Sequence, residues 1–195
     1  SGRPIQIASI PGKSKLIFWF MIGLSFWTFL SSFLYHSSSG TVDKERNRLI
    51  DRSAIYLMIA GGGITANLTC SDLVAGVIGS IVLIICCAFF TIRLCIKRVT
   101  SERFMLSSYI LLGWGAALPA MGVLGVSGYT ETHALWYFLS GGVLYTVGVF
   151  FYVKDDIKWY HTIWHFFVMM GFAVQVYAAM EALKIIQDAG EDVEK

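Results

Sequence analysis

An all-α integral membrane bundle of about six spans is the fold class this sequence predicts, and three observations carry the prediction. Of its 195 residues, 56% are hydrophobic and only 14% are charged, against about 25% charged in an average soluble domain. Apolar blocks close to the roughly 20 residues that cross a hydrocarbon core recur along the whole length. The charges fall in the short segments between those blocks. Nothing is left from which to build a soluble domain. One bundle over residues 16–186 accounts for the chain, with a polar lead-in over 1–15 and an acidic tail over 187–195.

The lead-in SGRPIQIASIPGKSK contains Pro4, Pro11 and Gly12 and reads as extended chain. It has no signal-peptide pattern, because Arg3, Lys13 and Lys15 flank no apolar centre. The first span runs from about Leu16 to Ser38, apolar through Trp27 and Phe29 but carrying Ser31, Ser32, Tyr35 and His36 in its last turns. Ser32 lies one turn before His36 and shares its face. A segment dense in both charges, Thr41 to Arg52, reads as a solvated connection or a short amphipathic piece. Asp51 opens the second span, Ser53 to about Cys70, which Gly61-Gly62-Gly63 loosens while letting a neighbouring backbone, ligand or lipid tail approach.

The third span, about Leu73 to Leu94, ends in the basic cluster Arg93, Lys97, Arg98 and Arg103. The fourth covers about Phe104 to Leu124, with Pro119 expected to kink its far end. After a loop holding Glu131 and His133, the fifth span runs from Ala134 to Val153, and its Ser140-Gly141-Gly142 and Gly148 suit close helix packing. In the turn KDDIKW, Asp155 and Asp156 are placed to cap the helix that follows. The sixth span takes in His161 and His165 and reaches about Ile186.

A net charge of +2 spread over short loops gives no basic patch for nucleic acid, so no nucleic-acid partner is expected. Membrane lipids are the expected surroundings. The four cysteines, Cys70, Cys86, Cys87 and Cys95, lack paired-loop or zinc-knuckle spacing and read as reduced packing residues. The neighbours Cys86 and Cys87 point in different directions on a helix, which argues against a reactive pair.

Six spans make an alternation that the basic residues test. One face collects Arg3, Lys13, Lys15, Lys184 and Lys195, five in all; the other collects the remaining ten of the fifteen Lys and Arg. By the positive-inside rule the second face is cytosolic, or faces the matrix or stroma in an organelle, and the N-terminus lies outside. His36, Asp51, His161 and His165 all fall on the basic side. Taken singly, each has a plainer explanation. A histidine at a span end meets head groups, an aspartate before a span caps it, and histidines four apart occur on interfacial helices.

Together they are a ligand set. His161 and His165 share a helical face and can bind one metal ion, and three histidines with an open fourth position suit catalytic zinc. In that arrangement Asp51 would hold the metal-bound water as general base, and Ser32 would hydrogen-bond Asp51 or the water. Ionisable groups inside a membrane are costly, which makes a functional role the default hypothesis.

The motifs Ser32-xxx-His36, Asp51-Arg-Ser-Ala-Ile-Tyr56 leading to Ala60-Gly61, Ser140-Gly-Gly-Val-Leu-Tyr-Thr-Val-Gly148 and His161-xxx-His165 resemble the hemolysin III family, which belongs with the progestin and adipoQ receptors. The resemblance extends from about Ser32 to Gly171. In that broader family, similar to alkaline ceramidases, the corresponding three histidines bind zinc, with the aspartate and serine around the metal water. The resemblance implies hydrolysis of a lipid amide, or lipid sensing. Three departures stand out. No counterpart of the family's usual first span is seen, the second span continues Gly62-Gly63-Ile64-Thr65-Ala66 instead of with a tyrosine and a proline, and Gln175 occupies a position often held by histidine.

Three functions compete. A zinc-dependent intramembrane hydrolase of lipid amides or esters uses every residue of the constellation. A structural or accessory subunit of a larger membrane assembly would have its glycine-rich helices covered by partner subunits. A receptor or lipid sensor would hold zinc structurally. Pore formation is disfavoured, since no span shows a continuous polar stripe.

Overall fold

The structure, a computed structural model, describes residues 13–71, 73–97, 101–119 and 133–191. The described residues form six α-helices and no strand: α1 (Lys13–Ser37), α2 (Thr41–Cys70), α3 (Leu73–Lys97), α4 (Glu102–Gly115), α5 (His133–Tyr152) and α6 (Tyr160–Glu191). Five of them, all but α4, are long and apolar enough to cross a membrane. The chain is an all-α membrane bundle. Most of the lead-in, the loop with Glu131, Arg98, the end of the fourth span and the last four residues lie outside the described residues.

The charged segment before the second span is helical, which corrects its reading as a connection. α2 begins at Thr41, after Gly40, and runs 30 residues without a break. Lys, Glu and Arg are good helix formers, Asp43 sits in the favourable first turn, and Arg46 reaches back to Asp43 at 3.2 Å. Asp51 is therefore ten residues inside the helix. It caps nothing.

The fourth helix is corrected at its other end. It stops at Gly115 instead of kinking at Pro119, and the chain tightens through Ala117 N–H to Trp114 O at 3.1 Å and Leu118 N–H to Gly115 O at 3.3 Å. A proline ring clashes with the carbonyl four residues earlier, which here belongs to Gly115. At 14 residues α4 is about 21 Å long, short of the ~30 Å hydrocarbon core. α6, by contrast, continues through Glu191, five residues into the segment read as tail.

α2 is the axis of the bundle: 72% of its most apolar stretch is buried, against 22–33% for the other four spans. One core joins Met21, Ala66, Phe138, Ala178 and Ala182 from α1, α2, α5 and α6. A second joins Tyr56, Ile64, Leu83, Met105 and Tyr109 from α2, α3 and α4. Large side chains on the outer faces, among them Trp19, Phe26, Phe33, Ile85 and Trp136, are exposed; lipid is their solvent. Cys70 and Cys87 are buried as expected of packing residues, whereas Cys95 is exposed.

With lipid tails as apolar as the helices, association depends on close packing and on satisfied polar groups. The Thr28 hydroxyl lies 3.0 Å from Leu24 O in its own helix and 2.9 Å from Ala54 O, tying α1 to α2. Tyr56, fully buried, meets Ser108 at 2.7 Å and ties α2 to α4. Gly76 allows α3 to lie against α2, since a Cβ there would stand 2.5 Å from the Asn67 carbonyl oxygen. A backbone oxygen cannot swing aside. Gly76→Ala is expected to cost about 1–3 kcal/mol and lower the thermal midpoint in detergent by several degrees. Gly23→Ala, with nothing within 4 Å, should leave it unchanged or slightly raised. Equal midpoints for the two variants would show that α2 and α3 do not meet there.

Candidate metal centre

α1 and α6 carry the three histidines to one place. His36 is in the last turn of α1, and His161 and His165 are one turn apart at the start of α6. The turn before α6 fixes their register. Trp159 takes a positive φ of 75°, a left-handed conformation that costs a non-glycine residue of order 1–2 kcal/mol. Its carbonyl accepts the Ile163 N–H at 2.9 Å, which starts the helix.

The Nε2 atoms of the three rings converge. His36 and His161 are 3.3 Å apart, His36 and His165 3.3 Å, and His161 and His165 3.1 Å. The rings meet in T-shaped pairs at interplanar angles of 67°, 84° and 80°. An ion held tetrahedrally at the usual zinc–nitrogen separation keeps its donor atoms roughly 3.3–3.4 Å apart. The triad's nitrogen separations of 3.1–3.3 Å are close to that spacing. His36, His161 and His165 can hold a metal ion.

Around them the structure gathers the other two residues singled out by sequence. Ser32 and Asp51 line the same cavity as the histidines, and the Ser32 hydroxyl hydrogen-bonds the Asp51 carboxylate. Asp51 is also close enough to His36 for their charges to interact.

Three features of the site were not legible in the sequence. Asp155, expected to cap α6, instead turns its carboxylate towards His161, 3.8 Å from Nδ1. That is too long for a hydrogen bond, but it sets a carboxylate beside the ring nitrogen that does not face the other two histidines. Arg52 pairs with Glu102 at 2.6 Å and donates to Tyr152, while its carbonyl accepts from Tyr109 at 2.7 Å. This cluster locks α2 to α4 and α5 beside Asp51. The third feature is the cavity itself, of about 400 Å³, which reaches from the histidines past Ile55 and Ile59 to Ala66 and Phe138. The sequence signals for these were the density of charge before the second span and the run Gly61-Gly62-Gly63, of which Gly62 and Gly63 line the cavity.

An integral membrane helical bundle with a histidine triad at one end of an internal cavity is thus the class of protein. The chain belongs to the haemolysin-III related family, whose sequence pattern matches residues 5–176. It is similar to a hemolysin-3 homolog of Bacillus subtilis (strain 168), 33% identical over 158 residues that cover 78% of this chain and 70% of the relative. It is also similar to hemolysin-3 of Bacillus cereus, 29% identical over 178 residues that cover 89% of this chain and 78% of the relative. No solved structure gives a significant match.

Metal analysis of the purified chain is expected to find one divalent ion per chain, lost in His36→Ala and in His161→Ala. Because only neutral imidazole ligates, acidification should release the ion. Undiminished metal content in both variants would mean that the ion sits elsewhere.

Proposed function

We propose that this protein is a zinc-dependent intramembrane hydrolase that cleaves an amide or ester bond of a lipid. The observation that supports the reading is the convergence of three ring nitrogens at 3.1–3.3 Å where a mostly apolar cavity turns polar. Three protein ligands leave a fourth position open, the mark of a catalytic rather than a structural zinc site. When bound, zinc supplies Lewis acidity: it polarises a carbonyl and brings the pKa of its water to about 7.

The chain's own residues do the rest. Asp51 takes a proton from the attacking water and returns it to the departing amine or alcohol. Ser32 fixes the orientation of that carboxylate through its hydrogen bond. The apolar length of the cavity takes the acyl chain, and its shape delivers the scissile carbonyl to the polar end. Following the charge asymmetry of the loops, we place this end at the inner face of the membrane.

A second reading, a lipid sensor with structural metal, draws on the triad joining α1 to α6, so that binding free energy is also folding free energy. Lysis, named in the relatives, draws no support from the described helices, since the polar side chains converge on a cavity instead of lining a stripe.

Turnover of a fluorogenic N-acyl amide or ester in detergent, with zinc content measured alongside, separates these readings. Asp51→Asn is expected to keep its zinc and lose activity by 10²-fold or more, and chelation should abolish activity until zinc is restored. Full activity without zinc would sink the hydrolase. A chelator that lowers the thermal midpoint of a chain with no turnover would favour the sensor.

A further inference from the structure

Far from the histidines, the cavity carries a polar side chain that the hydrolytic chemistry does not use. Gln175 lies ten residues beyond His165 on α6, so about 15 Å deeper along the helix axis. That is half of the ~30 Å hydrocarbon core, close to the midplane if the histidines stand near one surface. Gln175 lines the cavity. Among the described residues, no protein group hydrogen-bonds its amide.

Its placement is built by two glycines on other helices. A Cβ at Gly62 of α2 would stand 2.9 Å from the Gln175 amide oxygen, and a Cβ at Gly141 of α5 would stand 2.8 Å from its Cγ. The glutamine threads a slot that any side chain at either position would narrow. One turn nearer the histidines, the Tyr145 ring occupies the equivalent space over Gly171, where a Cβ would stand 2.9 Å from the ring. Tyr145 also lines the cavity, and its hydroxyl is completely buried without a partner. Three glycines thus make room for two polar side chains at a depth where an unsatisfied polar group is most costly.

We propose that Gln175 forms a second, deep polar subsite that selects a lipid chain bearing a neutral hydrogen-bonding group, a hydroxyl or a keto oxygen, partway along its length. The proposal rests on the reading above only in requiring that the cavity hold a lipid. The chemistry of the subsite sets the class. A carboxamide donates and accepts, which matches a hydroxyl or ketone. With no cation among the described residues that line this depth of the cavity, a charged group would be left unpaired. The oriented amide then discriminates by what is lost when the partner is missing: a plain acyl chain leaves the amide unsatisfied, whereas a chain with a mid-length hydroxyl satisfies it.

The test is equilibrium binding of two probes, stearate and a hydroxystearate with its hydroxyl at mid-chain, to the full chain in detergent micelles. The wild-type protein is expected to bind the hydroxylated probe about tenfold more tightly. Gln175→Leu should erase that preference by gaining affinity for stearate and losing it for hydroxystearate, with zinc content unchanged. Gln175→Met serves as the second variant, since its flexible thioether fills the same slot. Equal binding of the two probes by the wild type, as would follow if the amide merely holds a water, overturns the subsite and leaves the hydrolase reading standing. A preference that survives both substitutions also overturns it. If neither probe binds while zinc is present, the cavity takes no acyl chain and both readings fall.

Discussion

How closely α1 and α6 can flank α2 is the constraint on which the rest of the structure depends. In water, apolar helices are driven together by solvent, but in lipid the faces must touch to gain anything, so small residues decide which helices meet. α2 supplies three consecutive glycines, and because successive residues turn about 100° around a helix, they address three neighbours. Gly61 meets Leu24 of α1, Gly62 meets Gln175 of α6, and Gly63 meets Leu83 of α3 and Ala116 after α4. Each approach fixes one wall of the cavity. The histidines can converge at 3.1–3.3 Å because the helices that carry them both close on the same axis.

The polar end of the bundle is held by different forces. Arg48 and Arg52 of α2 both reach Glu102 of α4, at 3.4 and 2.6 Å. The Arg52 side chain is only 16% exposed whereas that of Glu102 is 59% exposed. Such a half-exposed pair contributes little to stability by itself. Its consequence is geometric: with Tyr109 on its carbonyl and Tyr152 beside its guanidinium, Arg52 ties the helix turn that presents Asp51 to α4 and α5. In the hydrolase we propose, a carboxylate that must meet a water at a fixed point benefits from rigidity more than from energy.

Much of this was legible in the chain itself. The apolar blocks gave six spans, of which five are long and apolar enough to cross a membrane in the structure, and alternating all six placed His36, Asp51, His161 and His165 on one face. The spacing of His161 and His165 gave their shared face, and that of Ser32 and His36 theirs. Hydropathy misplaces the start of α2 and the end of α4, for different reasons. The segment Thr41 to Arg52 is polar, so hydropathy sees a loop, although its Lys, Glu and Arg are helix formers that extend α2 into the aqueous layer. Pro119 marks where the ring would sit, although its effect falls four residues earlier, at Gly115.

What the sequence determined alone is the run of apolar helices and the residue types at their polar ends, because hydrophobic length and helical period are local properties. Only the tertiary structure decided that three imidazoles from α1 and α6 share one point, that Asp155 turns back to His161 instead of capping a helix, and that Gln175 enters a cavity. These depend on rotation about each helix axis and on which glycine faces which neighbour. No single span encodes such a relation, since it is fixed only when the helices pack.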